Sequence, residues 1–287
     1  VTRSPMGADV RIDLHVHTTA SDGTLTPSET VALAAAKGLD AIAITDHDSV
    51  EGVEEALSAA ESTEHAPIVI PGVELSSVHD DRDVHILGYF VDHTNPAFLN
   101  QLEDLRQARL GRAETIVTAL SNAGYAIDLP HVLALSSGGA VGRSHVARAL
   151  VEQGMVTNVT EAFRNLLGRK KPFYVPKDVR TPAEAVKLIR EAGGVAVLAH
   201  PGVTGCEHLA RCFISSGLEG IEAYHSEHDD VTSQRCASLA NELGLIVTGG
   251  SDFHGLDSPN DDIGGTAVPP GVLFELYRRA GRPLPPL

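Results

Sequence analysis

The stretch Asp13-Leu14-His15-Val16-His17-Thr18 decides how this chain is read. It closes an apolar run that opens at Val10, and such a run reads as a buried strand. Residues two apart on a strand share a face, so His15 and His17 project together at its end. Two parallel imidazoles are half of a metal site. A single His-x-His is common; it gains weight here because later strands finish in the same residue types.

Working outward, Thr26-Pro27-Ser28-Glu29 opens a helix, with Thr26 as cap, Pro27 at the first helical position and Glu29 closing a capping box. Gly38 ends it. A second buried strand, Asp40 to Thr45, finishes at Asp46-His47-Asp48, and a helix follows from Val50 to about Ala60. A third strand, Pro67 to Glu74, ends in a carboxylate. His79-Asp80-Asp81 reads as a hairpin tip, with Val84 to Phe90 as the return strand. From about Asn95 to Arg169 the alternation stops: Leu99, Leu102, Leu105, Ile116 and Leu120 recur at helical steps and no strand appears. Thr181-Pro182-Ala183-Glu184 repeats the first helix-start pattern. Three strands then end at His200-Pro201, at His225 and at Ser251-Asp252-Phe253-His254. A last helix runs from Val272 to about Ala280.

Strands alternating with helices predict an α/β fold on a parallel sheet, whose site gathers at the carboxyl ends of the strands. Residues 10–94 and 174–287 are expected to form one discontinuous catalytic unit, with 95–173 as an inserted helical subdomain that sets substrate specificity. The strand ends offer His15, His17, His47, Glu74, His85, His200, His225, Asp252 and His254, and Asp22 lies in the loop after the first strand. A random scatter of 14 histidines would not concentrate on one edge.

Composition narrows the class. The 287 residues can bury a full core. No apolar run approaches ~18 residues, so no membrane span is expected, and the first residues lack the apolar segment of a signal peptide. Three cysteines, Cys206, Cys212 and Cys236, form no CxxC pair; a reducing cytoplasm is the expected setting. A net charge of −16 argues against binding duplex DNA. It leaves room for a small anionic substrate, because bound cations invert the local charge.

Five ordered motifs carry a resemblance: Asp13-Leu14-His15-Val16-His17-Thr18, Thr45-Asp46-His47-Asp48, Pro71-Gly72-Val73-Glu74, Ala199-His200-Pro201 and Gly250-Ser251-Asp252-Phe253-His254. They resemble those of the PHP (polymerase and histidinol phosphatase) family of metal enzymes. The resemblance implies a distorted (β/α)7 barrel and three divalent metal ions. Carried over residue by residue, one ion takes His15, His17, Glu74 and Asp252. A second shares Glu74 and adds His85 and His200, and a third takes Asp22, His47 and His254. Some relatives have His where this chain has Asp22, and the harder oxygen ligand suits Mn²⁺ or Fe²⁺ at least as well as Zn²⁺. Asp13 and Asp46 are candidates to hydrogen-bond the outer imidazole nitrogens, or are simple strand-end carboxylates.

Three divalent cations, less three carboxylates and a bridging hydroxide, leave about two positive charges, which suits a phosphate ester attacked by that hydroxide. Asp252 belongs to this catalytic centre. His225 positions the phosphate, protonates the leaving group or sits behind the ligands. His228 reads as a surface residue. Two local basic clusters stand out, Gly142-Arg143-Ser144-His145 and the run Arg169-Lys170-Lys171 to Lys177, and the insertion with its Gly-Arg-Ser-His segment resembles the bacterial PHP phosphoesterases that remove the 3′-phosphate of nucleoside 3′,5′-bisphosphates. That resemblance implies that Arg143, His145, Lys171 and Lys177 hold the uncleaved phosphate and that Phe173 or Tyr174 lines the nucleoside site. Other readings are a histidinol-phosphate phosphatase, a 5′–3′ exoribonuclease on short RNA, and a degenerate non-enzymatic module. The last is disfavoured because every expected metal position is filled.

Overall fold

The structure, a computed structural model, describes residues 10–80, 82–136, 138–176, 180–256, 258 and 260–286. Seven strands form one sheet in sequence order: β1 (Ile12–Val16), β2 (Ala41–Ile44), β3 (Ile68–His79), β4 (Arg82–Tyr89), β5 (Val195–Leu198), β6 (Gly220–His225) and β7 (Ile246–Gly250). The sheet closes on itself just beyond β7, where His17 N–H donates to the Phe253 carbonyl at 2.9 Å and Phe253 N–H to the His15 carbonyl at 3.2 Å. The result is a distorted seven-stranded barrel wrapped by helices.

The sheet is mixed, not wholly parallel. β3 and β4 form a tight hairpin, so β4 runs antiparallel to both β3 and β5. This corrects the expectation that every site residue sits at a carboxyl strand end. Because β4 is reversed, its amino-terminal half reaches the rim, and that is how His85 arrives there. β3 also continues past Glu74 to His79, so Glu74 lies mid-strand opposite Leu87.

Alternate strand residues divide between two cores, as a period of two requires when both faces are covered. Ile42, Ile44, Ala196 and Leu198 pack in the larger cluster with the surrounding helices; Ala41, Ala43, Val195 and Val197 belong to a second cluster. The helices are α1 (Pro27–Ala36), α2 (Val53–Ser62), α3 (Pro96–Asn122), α4 (Leu129–Leu135), α5 (Arg143–Glu152), α6 (Val159–Ala162), α7 (Pro182–Glu191), α8 (Pro201–Thr204), α9 (Ala210–Phe213), α10 (Asp230–Leu243) and α11 (Gly271–Arg279). Capping boxes at Thr26–Glu29 and Thr181–Glu184 start α1 and α7. Among the described residues no helix is long and apolar enough to cross a membrane.

Helix α3 positions the insertion. Its 27 residues span about 40 Å, against about 17 Å for the five residues of β1. Its first turns, with Phe98, Leu102 and Leu105, join the large core. The later residues Ala113, Ile116, Val117 and Leu120 join a third cluster with Val132, Val146, Leu150 and Leu167. α3 thus overshoots the barrel and carries α4, α5, α6 and the π-helical turn Phe163–Leu167 above the rim.

Candidate metal centre

Strand β1 delivers His15 and His17 side by side, with ring centroids 5.1 Å apart. Each approaches both Glu74 and Asp252. His15 Nε2 is 3.4 Å from Glu74 Oε2 and 3.2 Å from Asp252 Oδ1, and His17 Nε2 is 3.3 and 3.0 Å from the same oxygens. The other Glu74 oxygen faces a different pair: Oε1 lies 2.8 Å from His85 Nδ1 and 2.9 Å from His200 Nε2. Asp22 completes the third corner, with Oδ1 3.4 Å from His254 Nε2 and 3.9 Å from His17 Nδ1. His47 closes this group, its ring 4.6 Å from that of His17. The ligand-type atoms of His15, His17, Glu74 and Asp252 all lie within 4.8 Å of one another, as do those of His17, Asp22, His47 and His254 and those of His47, Glu74 and His85.

These groups fit divalent ions on a stringent criterion. His15 Nε2, both nitrogens of His17, His47 Nδ1, Glu74 Oε2 and His200 Nδ1 are buried without a hydrogen-bond partner. Burying such atoms unpaired costs ~1–3 kcal/mol each, so a cluster of them implies a cation they share. His47 Nδ1 comes within 2.8 Å of Glu74 Oε2 yet forms no hydrogen bond. Two donors about 2.1 Å from one ion and roughly 90–110° apart would stand about 3.0–3.4 Å from each other, which matches most of these contacts.

The electrostatics agree. Burial alone would raise Glu74, but the imidazoles of His47, His85 and His15 hold it well below the usual carboxylate range. Burial, helped by His254, drives His17 down to about 3, so it stays in the neutral form that binds metals. Backbone strain concentrates here too: His200, Asp252 and Asp48 adopt positive φ of 25°, 56° and 50°. Such geometry in non-glycine residues persists only where the surroundings dictate it.

The residues behind the cluster differ from expectation. Asp13 accepts from the backbone N–H of Ser251 and Gly264 and from the Ser251 hydroxyl. Asp46 accepts from Thr18 and Ser21, and so ties down the loop that carries Asp22. Neither touches an imidazole. Glu222 does: its carboxylate lies 3.0 Å from His15 Nδ1 and accepts the His200 backbone N–H at 2.7 Å. A lone carboxylate in the otherwise apolar stretch Ile221-Glu222-Ala223 is the signal that marks it. His228 is buried rather than at the surface, donating from Nδ1 to the Ala223 carbonyl and accepting the Gly202 N–H at Nε2.

Above the cluster lies a cavity of about 750 Å³, large enough for a nucleotide. Asp22, His47, Glu74, His85, His200, His225, Asp252 and His254 line it, with Ser144 and Arg148 from α5 on the opposite wall. His225 accepts the Glu227 N–H at Nδ1 and points Nε2, buried and unpartnered, toward Asp252 Oδ2 at 3.6 Å. Among the described residues, the other basic-motif residues do not line this cavity. Arg143 pairs with Asp83 at 2.9 Å and lies over the Phe163 and Tyr174 rings. His145 is buried on the inner face of α5, Lys171 is exposed, and Phe173 packs on Tyr125. Lys177 lies outside the described residues.

The PHP domain family model matches residues 13–168, more than half of the chain. The chain belongs to the PHP family. Its relatives include the 3′,5′-nucleoside bisphosphate phosphatase of Chromobacterium violaceum, 36% identical over 281 residues that cover 93% of this chain and 95% of the relative. The 5′–3′ exoribonuclease Rnm of Escherichia coli is 36% identical over 247 residues, 84% of each chain. Among solved structures, a Bifidobacterium adolescentis protein described as a metal-dependent phosphoesterase superposes with a TM-score of 0.87 at 31% identity, covering 94% of this chain and 96% of the other.

Proposed function

We propose that this PHP protein is a metal-dependent phosphoesterase that hydrolyses the 3′-phosphate of nucleoside 3′,5′-bisphosphates. The observation that carries the chemistry is the floor of buried, unpartnered histidine nitrogens, with Glu74 Oε2, beneath the cavity. The bisphosphate preference rests on the Chromobacterium relative, which matches nearly end to end.

In this reading three divalent ions, Mn²⁺ first and Fe²⁺ or Zn²⁺ as alternatives, would divide the ligands of this cluster among them. His15, His17, Glu74 and Asp252 hold one, Glu74, His85 and His200 a second, and Asp22, His47 and His254 the third. When bound, they supply Lewis acidity to the phosphoryl oxygens and acidify the attacking water. Glu74 joins two groups because its oxygens face different histidine pairs. His225 acts as a donor: with Nδ1 accepting a backbone N–H, its neutral tautomer carries the proton on Nε2, beside Asp252. That proton serves a phosphoryl or leaving-group oxygen. Arg148 and Ser144 take over the clamp on the uncleaved phosphate expected of Arg143 and His145, because they line the cavity.

The insertion at 95–173 acts as the specificity unit over a barrel built from 10–94 and 174–287. The acidic net charge of −16 suits a small nucleotide over a duplex, and three free cysteines fit a cytoplasmic setting. The Escherichia coli relative supports a second reading, trimming of short RNA from its 5′ end. The deciding experiment assays Mn²⁺-loaded protein against adenosine 3′,5′-bisphosphate, AMP, histidinol phosphate and a short 5′-phosphorylated RNA, with metal content measured on the same sample. Preference for the bisphosphate supports the proposal. Preference for RNA moves the protein to the second reading, and absence of both metal and turnover overturns the chemistry.

A further inference from the structure

One buried ion pair outside the cluster ties the insertion to the rim. Asp48 follows His47 directly and sits at φ 50°, a region costly for a residue with a Cβ. Three contacts hold it there. Its N–H donates to the Glu74 carbonyl at 3.0 Å, Oδ1 accepts the Ser76 N–H at 2.7 Å, and Oδ2 accepts Arg109 Nε at 2.5 Å. A second arm of the same guanidinium donates to the Ser76 hydroxyl at 2.8 Å. Asp48 and Arg109 are almost wholly shielded, with side chains 1% and 14% exposed.

Arg109 belongs to α3, the helix that carries the insertion. Its third nitrogen packs at the start of α5, where a Cβ added to Gly142 would lie 3.2 Å from Nη1. From that same helix Ser144 Oγ donates to Asp22 Oδ2 at 2.8 Å, and Arg148 donates to the Asp22 carbonyl. The guanidinium therefore lies between two anchors. One is the backbone that presents His47 and Glu74; the other is the helix that grips Asp22. His47 and Asp22 face the same point, together with His17 and His254.

We propose that Arg109 is a positioning residue that registers the helical insertion on the barrel rim and so sets the geometry of the His17, Asp22, His47 and His254 group. It touches neither substrate nor ligand atoms. The planar fork is what matters, since two of its nitrogens meet Asp48 and Ser76 at once while the third lies against Gly142, and a lysine ammonium cannot span that arrangement. The inference rests on the reading that this group holds a metal ion, so its test must separate the two.

The experiment is a metal titration of stripped, full-length protein with Mn²⁺, read by bound-ion stoichiometry and affinity, on wild type, Arg109→Lys and Asp22→Asn. Circular dichroism and melting temperature check the fold. Expected for Arg109→Lys is a weakening of one site by about tenfold or more, the scale seen when partners of ligands are removed, while the remaining sites keep wild-type affinity. Asp22→Asn should lose the same site. If Asp22→Asn loses a site and a folded Arg109→Lys binds every ion as wild type does, the positioning role is overturned. A uniform weakening of all sites by Arg109→Lys, in step with a lower melting temperature, also overturns it in favour of a plain core ion pair. If Asp22→Asn leaves stoichiometry and affinity unchanged, the metal assignment of this group fails instead. Should Arg109→Lys not fold, Ser76→Ala removes one partner of the fork; wild-type affinity at every site in that variant overturns the proposal.

Discussion

The barrel rim and the helical insertion meet across one cavity, but they are braced very differently. On the rim each functional side chain is buried or largely so and faces two or more others: Glu74 alone approaches His15, His17, His47, His85 and His200. The insertion reaches the same cavity largely through one face of α5 and the π-helical turn beside it. Ser144, Arg148, Val151 and Glu152 recur there at helical spacing, while His145, Val146, Ala149 and Leu150 turn inward to the insertion's own core. A network with many shared partners fails as a unit, whereas a single helix face can change one residue at a time. The rim should therefore decide whether the reaction occurs, and the insertion on what.

The largest effect expected from that contrast comes from the most shared rim residue. Glu74→Gln should cut kcat by about a thousandfold or more, since losing an ionised bridge forfeits several kcal/mol of charge stabilisation. It should also release more than one metal ion per chain, measured by elemental analysis. Release of a single ion, with the others retained, would break the picture of a rim that acts as one network.

Next is a rim residue that touches no substrate. Glu222→Gln keeps the shape but removes the charge that His15 Nδ1 and the His200 N–H both meet. Metal affinity should fall roughly 10–100-fold, measured by competition with a chelator, with KM for substrate little changed at saturating metal. Unaltered affinity would confine the network to the ligands themselves.

The insertion should respond differently. Arg148→Ala should raise KM for adenosine 3′,5′-bisphosphate by about tenfold or more, the value of a charge-assisted contact, and leave hydrolysis of a generic aryl phosphate within about twofold. Equal losses on both substrates would place Arg148 with the rim, acting through the Asp22 carbonyl it also contacts.

How much of this was legible beforehand follows from the same contrast. The rim could be read because strand periodicity fixes direction: once β1 is a strand, His15 and His17 must share a face. The capping boxes at Thr26 and Thr181 likewise fixed two helix starts from four residues each. The acidic turn marks Val84 to Phe90 as a return strand, but the rule that sites gather at carboxyl ends hides its consequence: the reversed β4 brings its amino-terminal half, with His85, to the rim. Glu222 was missed because one carboxylate in a strand carries no partner with it; His15 lies 207 residues away. In the insertion, the helical pattern located α5 but not which of its faces looks into the cavity. That face depends on how α3 sets the bundle above the rim, so the short motif pointed to Arg143, which pairs with Asp83, and passed over Arg148, which lines the cavity.

The smallest expected effect isolates the insertion from the rim by pH. His145 accepts the Gly142 N–H at Nδ1 and so helps start α5 in its neutral form. Burial, reinforced by Arg148 and Arg109, pushes its pKa from an ordinary 6.5 down to about 4, against the opposing pull of Asp22. A histidine lowered in the folded state favours folding above its unfolded pKa, and that contribution drains away as pH falls from about 6.5 toward 4. Protonation also turns Nδ1 into a donor facing another donor. In metal-loaded protein, amide exchange corrected for intrinsic rates should show α5 losing protection across this window while β1, β2 and β5 stay protected. His145→Gln, which offers an acceptor oxygen that does not titrate, should flatten the α5 response. If α5 and the strands lose protection together, or if His145→Gln keeps the wild-type pH dependence, α5 is not an independently loosened element and the two regions form a single cooperative unit.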